Sequence, residues 1–351
     1  MVTTMPFFDP KTLDNMMIDS NHPPLLHHFG ALSPNPPPPP PPLNTSSLQL
    51  MEECQLPLID LSGLNSHDQK ETNACAAAIC RASSEWGFFQ VVNHGISPEL
   101  LSKMRREQEL LFQTPFEIKA TCGLLNNSYR WGSPTATCPK HFSWSEAFHI
   151  PLTKINEQAC YGDFTSLRVV MTEFAAAMSK LAWLLARILV DNLSHQRDTV
   201  DNICHESTCF LRLNRYPVCP ISAEIFGFVP HTDSDFLTIL YQDQVGGLQL
   251  MKDSKWVAVK PNQDALIVNI GDLFQAWSND IYKSVEHKVI ANGKKERYSI
   301  AYFLCPSYDS LIGSCKEPSI YQKFTFREYR NQVQEDVKKN GHKIGLPRFL
   351  L

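Results

Sequence analysis

The stretch PHTDSDFLTIL, residues 230–240, decides the fold, because a short polar turn in it runs directly into an apolar strand. In extended chain, residues i and i+2 point to the same side, so His231 and Asp233 present an imidazole and a carboxylate to one point. Segments rich in β-branched and aromatic residues surround this stretch and are separated by turn signals. They predict strands at 209–216, 237–242, 247–251, 255–259, 265–269, 285–290 and 298–305. Short strands at this spacing are typical of a sandwich or a barrel.

A second polar position interrupts the strand VEHKV at His287. It lies between two valines on a face that we expect to point inward, where a histidine is either a hydrogen-bonded core residue or a ligand. Two histidines and one carboxylate form the facial triad of non-haem Fe(II) sites, which leaves coordination positions open. The pattern H-x-D is common by chance, so a metal site needs support from elsewhere in the chain.

That support comes from Arg297 and Ser299, which share one face of an otherwise apolar strand. A buried arginine requires an anion, and its planar fork suits bidentate capture of a carboxylate. The anion is either a protein acid, such as Asp264 or Asp272, or a small dicarboxylate cosubstrate, and the neighbouring triad favours the cosubstrate. Further hydrogen bonds can come from the first strand of this half, at Asn214 and Tyr216.

The chain has 351 residues and a formal net charge of −4. Its composition excludes several classes of function. The sequence has no basic face for nucleic acid. The most apolar stretch, Phe174–Val190, contains Lys180 and Arg187, so we expect no membrane span. Eleven cysteines without a CxxC pair, and no visible signal peptide, favour reduced thiols in a soluble, cytoplasmic protein. We expect a small-molecule substrate and no obligate protein partner.

The chain divides into five predicted regions. Of its 25 prolines, 12 fall in the first 56 residues, including the run Pro36–Pro42. Residues 1–55 are therefore predicted to be a disordered arm, a spacer or docking ligand whose deletion leaves turnover intact. The other regions are an N-terminal module over 56–160, a long support helix within 161–204, a strand-rich core over 205–310, and a C-terminal helix (about 326–339) with a tail over 311–351.

Four segments together resemble the plant 2-oxoglutarate- and Fe(II)-dependent dioxygenases: LRLNRYPVCP, HTDSDFLTIL, SVEHKVI and RYSIAYF. Upstream, IDL and WGFFQVVNHGI match the first module of that family, so the resemblance covers roughly residues 56–345. The resemblance implies a mainly β fold with flanking helices, a double-stranded β-helix (jelly-roll) barrel behind a helical N-terminal module.

The same resemblance assigns the residues of the active site. It implies that His231, Asp233 and His287 bind Fe(II). It also implies that the far carboxylate of 2-oxoglutarate meets Arg297, Ser299 and Tyr216. Dioxygen would be the co-oxidant and ascorbate the reductant. We expect the two histidines, Asp233 and Arg297 to be the catalytic set, with Asn214 supporting the cosubstrate.

Within the family, CGLLNNSYRWGSPTATC and WSEAFHIPL look like segments of the gibberellin 2-oxidases, closest to those acting on twenty-carbon gibberellins. This implies 2β-hydroxylation that inactivates the hormone. A flavonoid hydroxylase is the alternative within the enzyme class, and a non-catalytic jelly-roll binder is the alternative outside it. Most of the aromatic substrate candidates could instead pack the module against the barrel. The candidates for substrate contact are Tyr129, Arg130, Trp131, Trp144, Phe148 and Arg212.

Overall fold

Two β-sheets form the centre of the fold, in a computed structural model that describes residues 21–32, 52–134, 136–195, 198–221 and 225–351. The strands are β1 Glu53–Cys54, β2 Leu58–Asp60, β3 Phe88–Val92, β4 Tyr129–Trp131, β5 Glu146–Pro151, β6 Phe210–Tyr216, β7 Phe226–His231, β8 Leu237–Gln242, β9 Leu248–Lys252, β10 Lys255–Val259, β11 Leu266–Ile270, β12 His287–Ile290, β13 Arg297–Leu304, β14 Leu311–Ile312 and β15 Phe324–Thr325.

The helices are α1 Leu25–Leu32, α2 Gln69–Glu85, α3 Pro98–Phe112, α4 Phe116–Thr121, α5 Thr165–Asn192, α6 Asp198–Ile203, α7 Asp272–Trp277 and α8 Phe326–Asn340, with short 3-10 turns between them. Ser97 caps α3 as its sequence predicts, accepting a hydrogen bond from the Leu100 amide, with Pro98 at the first helical position. At the other end of the chain, Thr325 and Glu328 form a capping box for α8.

The strands form an eight-stranded sheet in the order β2-β3-β11-β8-β13-β6-β5-β4 and a five-stranded sheet in the order β1-β10-β9-β12-β7. This is the predicted jelly-roll barrel, and every strand predicted in its core is present within one or two residues. Strand β7 was not predicted. It contains Gly227 and Pro230, which weaken the pattern by which strands are recognised.

Helix α5 supports the outer face of the eight-stranded sheet and packs against α2, α3 and β13. Its buried residues, among them Leu167, Phe174 and Leu185, recur at helical spacing. The helix is long and apolar enough to cross a membrane by length and composition, but half of its apolar window is buried inside the protein. We therefore regard it as the core helix of the fold.

The prediction of a disordered arm over residues 1–55 is wrong for residues 21–32. Helix α1 buries Leu25 and Phe29 in an apolar cluster with Phe142 and Trp144. An eight-residue helix bounded by prolines has too little periodicity to be recognised in sequence, and its docking is what stabilises it. Strand β1 likewise pairs with β10. The run Pro36–Pro42 lies outside the described residues.

Candidate metal centre and active site

His231, Asp233 and His287 lie together, with one ligand atom of each residue within 4.8 Å of the others. His231 ends β7 and is the cross-strand partner of His287, which begins β12. Asp233 follows in the turn before β8. Its Oδ1 lies 3.6 Å from the Nε2 atom of His231 and 3.8 Å from that of His287. Strand pairing thus brings His287 beside His231 and Asp233, from which it is distant in sequence.

Local hydrogen bonds orient both imidazoles. Nδ1 of His231 lies 2.8 Å from the Val229 carbonyl oxygen, and Nδ1 of His287 lies 3.0 Å from the Val285 carbonyl oxygen. A proton on Nδ1 donates to that carbonyl and leaves the Nε2 lone pair free. Both Nε2 atoms therefore point toward Asp233 as acceptors of a cation.

The carboxylate of Asp233 is oriented in the same way. Its Oδ2 accepts hydrogen bonds from Thr238 Oγ1 (2.7 Å) and Asn269 Nδ2 (2.8 Å), so Oδ1 remains for a ligand. Burial alone raises the pKa of Asp233, but the two histidines and these hydrogen bonds lower it below its ordinary value. Burial, with His287 nearby, lowers the pKa of His231 to about 3. Two imidazoles and one carboxylate fit Fe(II), with one face of the metal left open.

Arg297 is fully enclosed, at 2% exposure, and its contacts are with uncharged groups. Its guanidinium donates to Gln242 Oε1 at 2.7 Å and lies 4.9 Å above the ring of Tyr216, while its Nε has no partner. Across the described residues no carboxylate lies within ion-pair distance of it, and Asp272 pairs with Lys343 instead. Pairing of Arg297 with a protein acid is therefore excluded for those residues, and the unpaired cation fits a carboxylate of 2-oxoglutarate.

The other predicted cosubstrate residues lie around Arg297. Tyr216 is its cross-strand partner, and Ser299 pairs with Asn214, whose amide donates to Ser299 Oγ at 3.3 Å. The position of the Tyr216 ring depends on Gly227, because a Cβ at residue 227 would lie 2.7 Å from the Cδ1 of that ring. The glycine at position 227 thus leaves space for the Tyr216 ring beneath the guanidinium of Arg297.

A cavity of about 240 Å³ lies next to this site, between the inner face of the eight-stranded sheet and α8. Three rings form a continuous stack on the sheet: His149 on Phe210 with centroids 4.0 Å apart, and Phe210 on Phe303 at 4.3 Å. Residues of α8 and of the turn after Asp233 also line the cavity: Phe326, Arg330, Val333 and Gln334 from α8, and Ser234 and Asp235 from the turn. An aromatic wall with a cation opposite it suits an apolar acid.

Arg212 lies on the same inner face as His149, its cross-strand partner. Its Nε donates to Asn214 Oδ1 at 2.8 Å, and its guanidinium lies 4.9 Å above the ring of Phe228, which in turn packs against His231. Burial lowers the pKa of Arg212. In the described part of the chain Arg212 has no carboxylate partner, so it remains available to an anionic ligand near the metal triad.

The structure does not bring the other five substrate candidates to the triad. Tyr129 and Phe148 pack in the main core beneath α3 and α4, where the Tyr129 hydroxyl bonds to buried Glu146. Trp131 and Trp144 pack with the cluster around α1, and the exposed Arg130 donates to backbone carbonyls. In a strand, alternate residues face opposite ways, so Phe148 faces the helices and its neighbour His149 faces the cavity.

None of the residues that line this cavity is among the site residues predicted from the sequence. Two of them carry chemistry that bears on a substrate, His149 and Arg330. No local pattern marks His149, because only the pairing of β5 with β6 places that residue opposite Arg212. No local signal marks Arg330, because only the docking of α8 brings it to the barrel.

Comparisons with known proteins agree with this geometry. The family model for the 2OG-Fe(II) oxygenase superfamily matches residues 207–306, and the model for the N-terminal part of non-haem dioxygenases in morphine synthesis matches residues 56–164. The chain is 61% identical to gibberellin 2-beta-dioxygenase 6 of Oryza sativa subsp. japonica, over 85% of each chain.

Two further matches extend the comparison. Gibberellin 2-beta-dioxygenase 8 of Arabidopsis thaliana is 55% identical, over 86% of this chain and 88% of that one. Among solved structures, JOX2 in complex with 2OG, Fe and JA superposes with a TM-score of 0.74 at 31% identity, covering 94% of this chain and 99% of that one.

Proposed function

The chain belongs to the 2-oxoglutarate- and Fe(II)-dependent oxygenase superfamily, and on that premise we propose that it 2β-hydroxylates gibberellins and so inactivates the hormone. One observation supports this most: relatives 61% and 55% identical over more than four fifths of the chain are gibberellin 2-beta-dioxygenases. The cavity supports it independently, because it joins an apolar wall to Arg330, whose guanidinium donates to the Tyr308 hydroxyl and has no carboxylate partner among the described residues.

When bound, Fe(II) and 2-oxoglutarate activate dioxygen with release of succinate and CO2, and they supply the oxidant that inserts one oxygen atom into a C–H bond. The residues His231, Asp233 and His287 would hold the metal through Nε2, Oδ1 and Nε2. Arg297 would bind the far carboxylate of 2-oxoglutarate, with Ser299 and Tyr216 beside it. The buried position of these groups excludes water from the reacting atoms.

The substrate would lie between the ring stack and α8. A gibberellin is a rigid apolar polycycle that carries a carboxylate. The stack of His149, Phe210 and Phe303 offers a flat apolar wall for the rings. Arg212 and Arg330 offer cations for the carboxylate. Positioning by these groups would present one C–H bond to the metal, and the protein needs no general base for such a reaction.

The test is a product assay with purified protein, Fe(II), 2-oxoglutarate and ascorbate, across twenty-carbon gibberellins, nineteen-carbon gibberellins and flavonoids. We expect 2β-hydroxylated gibberellins with an equal amount of succinate, and preference for twenty-carbon substrates. Turnover of flavonoids with none of any gibberellin would contradict the proposal.

Two arginines on α8 provide a matched pair for this assay. Arg330 lines the cavity, whereas Arg327, three residues earlier, pairs with Asp309 on the surface, with side chains 55% and 82% exposed. We expect Arg330→Gln to lower kcat/KM for the gibberellin about 10- to 100-fold, while Arg327→Gln leaves it unchanged. Equal effects of the two substitutions would contradict a substrate contact at Arg330.

We also propose that the protein acts in the cytoplasm. Buried cysteines of the fold, among them Cys204, Cys209 and Cys305, are free thiols in the structure, which suits a reducing compartment. Imaging of the full chain with a fluorescent tag tests this, and a signal confined to an oxidising compartment would contradict it.

A further inference from the structure

The turn that carries two of the metal ligands is held by the C-terminal segment of the chain. Nζ of Lys343 donates to the carbonyl oxygen of Thr232 (2.9 Å) and to Ser234 Oγ (2.8 Å), and it lies 2.6 Å from Asp272 Oδ2. An ammonium group has three protons, and each of them has one acceptor here. The side chain of Lys343 is 11% exposed, so water does not replace these contacts.

Asp272 is the point where these contacts meet. Its buried carboxylate accepts hydrogen bonds from Thr232 Oγ1 (3.1 Å), Ser284 Oγ (2.6 Å) and the hydroxyl of Tyr329, in addition to the ammonium of Lys343. Its backbone amide donates to the carbonyl oxygen of Asp233 at 2.9 Å. Three of these donors, from Thr232, Tyr329 and Lys343, meet Oδ2, and Ser284 meets Oδ1, so both carboxylate oxygens accept hydrogen bonds.

These contacts connect α8 to the metal turn. Tyr329 projects from α8 toward Asp272, while its neighbour Arg330 lines the cavity on another side of the same helix. Lys343 follows the end of the helix and reaches the turn directly. Helix α8 therefore lines the cavity, and the segment directly after it contacts the peptide between His231 and Asp233.

We propose that Lys343, directly and through Asp272, and Tyr329, through Asp272, are positioning residues that fix the turn carrying His231 and Asp233 in its metal-binding geometry. The inference depends on the iron site of the family and not on which substrate is hydroxylated. Loss of the ammonium would leave the Asp272 carboxylate buried beside neutral donors alone and would free two contacts of the turn. Such outer-shell contacts typically alter metal affinity about 10- to 100-fold.

The experiment measures Fe(II) affinity without turnover. Fe(II) is titrated anaerobically into protein saturated with 2-oxoglutarate, and the visible charge-transfer band gives the Kd. We expect Lys343→Met, which keeps the length of the side chain, to raise this Kd about 10- to 100-fold. The matched control is Lys339→Met, because Lys339 is 71% exposed near the end of α8 and pairs only loosely with Glu335, at 3.8 Å.

Tyr329→Phe is the second variant, since it removes one donor and keeps the ring packed against Phe324 and Phe349. We expect it to raise the Kd about 3- to 10-fold. If Lys343→Met does not fold, this variant alone tests the positioning role.

Circular dichroism melting of the metal-free proteins separates lost stability from lost metal affinity. A folded Lys343→Met or Tyr329→Phe protein with the wild-type Kd would overturn the proposal, and so would an equal change in Lys339→Met. No gibberellin enters this assay, so its result is independent of the substrate assignment.

Discussion

At the scale of single residues, the chemistry of the site depends on an arginine whose protein partners are uncharged. Arg297 lies on a tyrosine ring and donates to a glutamine, and burial keeps water from solvating it. A cation in this position is costly until an anion arrives. The site is therefore preorganised for a carboxylate. For the same reason, we expect cosubstrate binding to be most sensitive to substitution of Arg297.

We predict that Arg297→Ala raises the KM for 2-oxoglutarate about 30-fold or more, because truncating one partner of a buried charged pair costs about 2 kcal/mol or more. Steady-state succinate formation at varied 2-oxoglutarate gives the value. The control is Arg187→Ala, since Arg187 forms a surface pair with Asp201. An unchanged KM in Arg297→Ala would show that another group binds the carboxylate.

A second residue-scale prediction concerns His149. Burial, together with Arg212, Arg330 and Arg130, lowers the pKa of His149 to about 4 from the ordinary 6.5. Between these two values the unfolded chain binds a proton at this residue and the folded chain does not, so acid destabilises the fold there. From pH 6.5 to about pH 4.5 we expect the wild type to lose about 2 kcal/mol more unfolding free energy than His149→Phe.

Urea unfolding of the metal-free proteins at the two pH values measures this difference, because the other titrating groups contribute equally to both. A parallel loss of stability in wild type and variant would contradict the lowered pKa of His149.

At this scale, the sequence predicted those site residues that lie close together along the chain. His231 and Asp233 are two residues apart, and Arg297 and Ser299 are also two apart, so the period of a strand placed each pair on one face. Phe148 faces the helices because pairing register decides which face of β5 meets the cavity. That register is set by contacts between β5 and β6 across the 58 residues that separate Pro151 from Phe210, which no local pattern encodes.

At the scale of elements, the N-terminal helix changes what is expected of the proline-rich arm. Lys119 donates to the carbonyl oxygen of Asn21 at 2.8 Å, and Arg215 lies 2.8 Å from Nε2 of His22. Leu25 and Phe29 then bury their side chains against the first module. The described part of the arm is thus a component of the fold, whereas the sequence alone favoured a dispensable tail.

We predict that a chain beginning at residue 21 is as stable as the full chain, whereas a chain beginning at residue 33 is less stable by about 2–4 kcal/mol. Two large apolar side chains leave the core in the shorter chain, each worth about 1.5–3 kcal/mol, and the lost ordering entropy offsets part of this. Denaturant unfolding of the three proteins measures it. Equal stability of the two truncated chains would contradict the role of α1.

Helix α8 was predicted nearly to its ends, but its function was not. The capping box and the glycine at its end are local signals. Its place against the barrel depends on Tyr329 and Lys343 reaching Asp272, a contact between segments 57 or more residues apart. Local patterns therefore predict the element, and only tertiary contacts show that it lines the cavity.

At the scale of the whole molecule, a modest net charge of −4 accompanies a site with one buried arginine, Arg297, and two partly buried ones, Arg212 and Arg330. The proposed function assigns recognition of acids to these three residues at short range, where low dielectric strengthens each contact. The jelly roll was predictable because segments rich in β-branched and aromatic residues follow one another between turn signals, and because the family's motifs occur in order. The cavity was not, since it forms where the C-terminal helix closes over the sheet.

The most direct test of the account is a reaction with a twenty-carbon gibberellin under oxygen-18 gas, analysed by mass spectrometry of both products. We predict one oxygen-18 atom in a new hydroxyl group at C-2 of the gibberellin and one in the succinate released with it. A gibberellin recovered unchanged while succinate forms, or a hydroxyl oxygen that derives from water alone, would contradict the account.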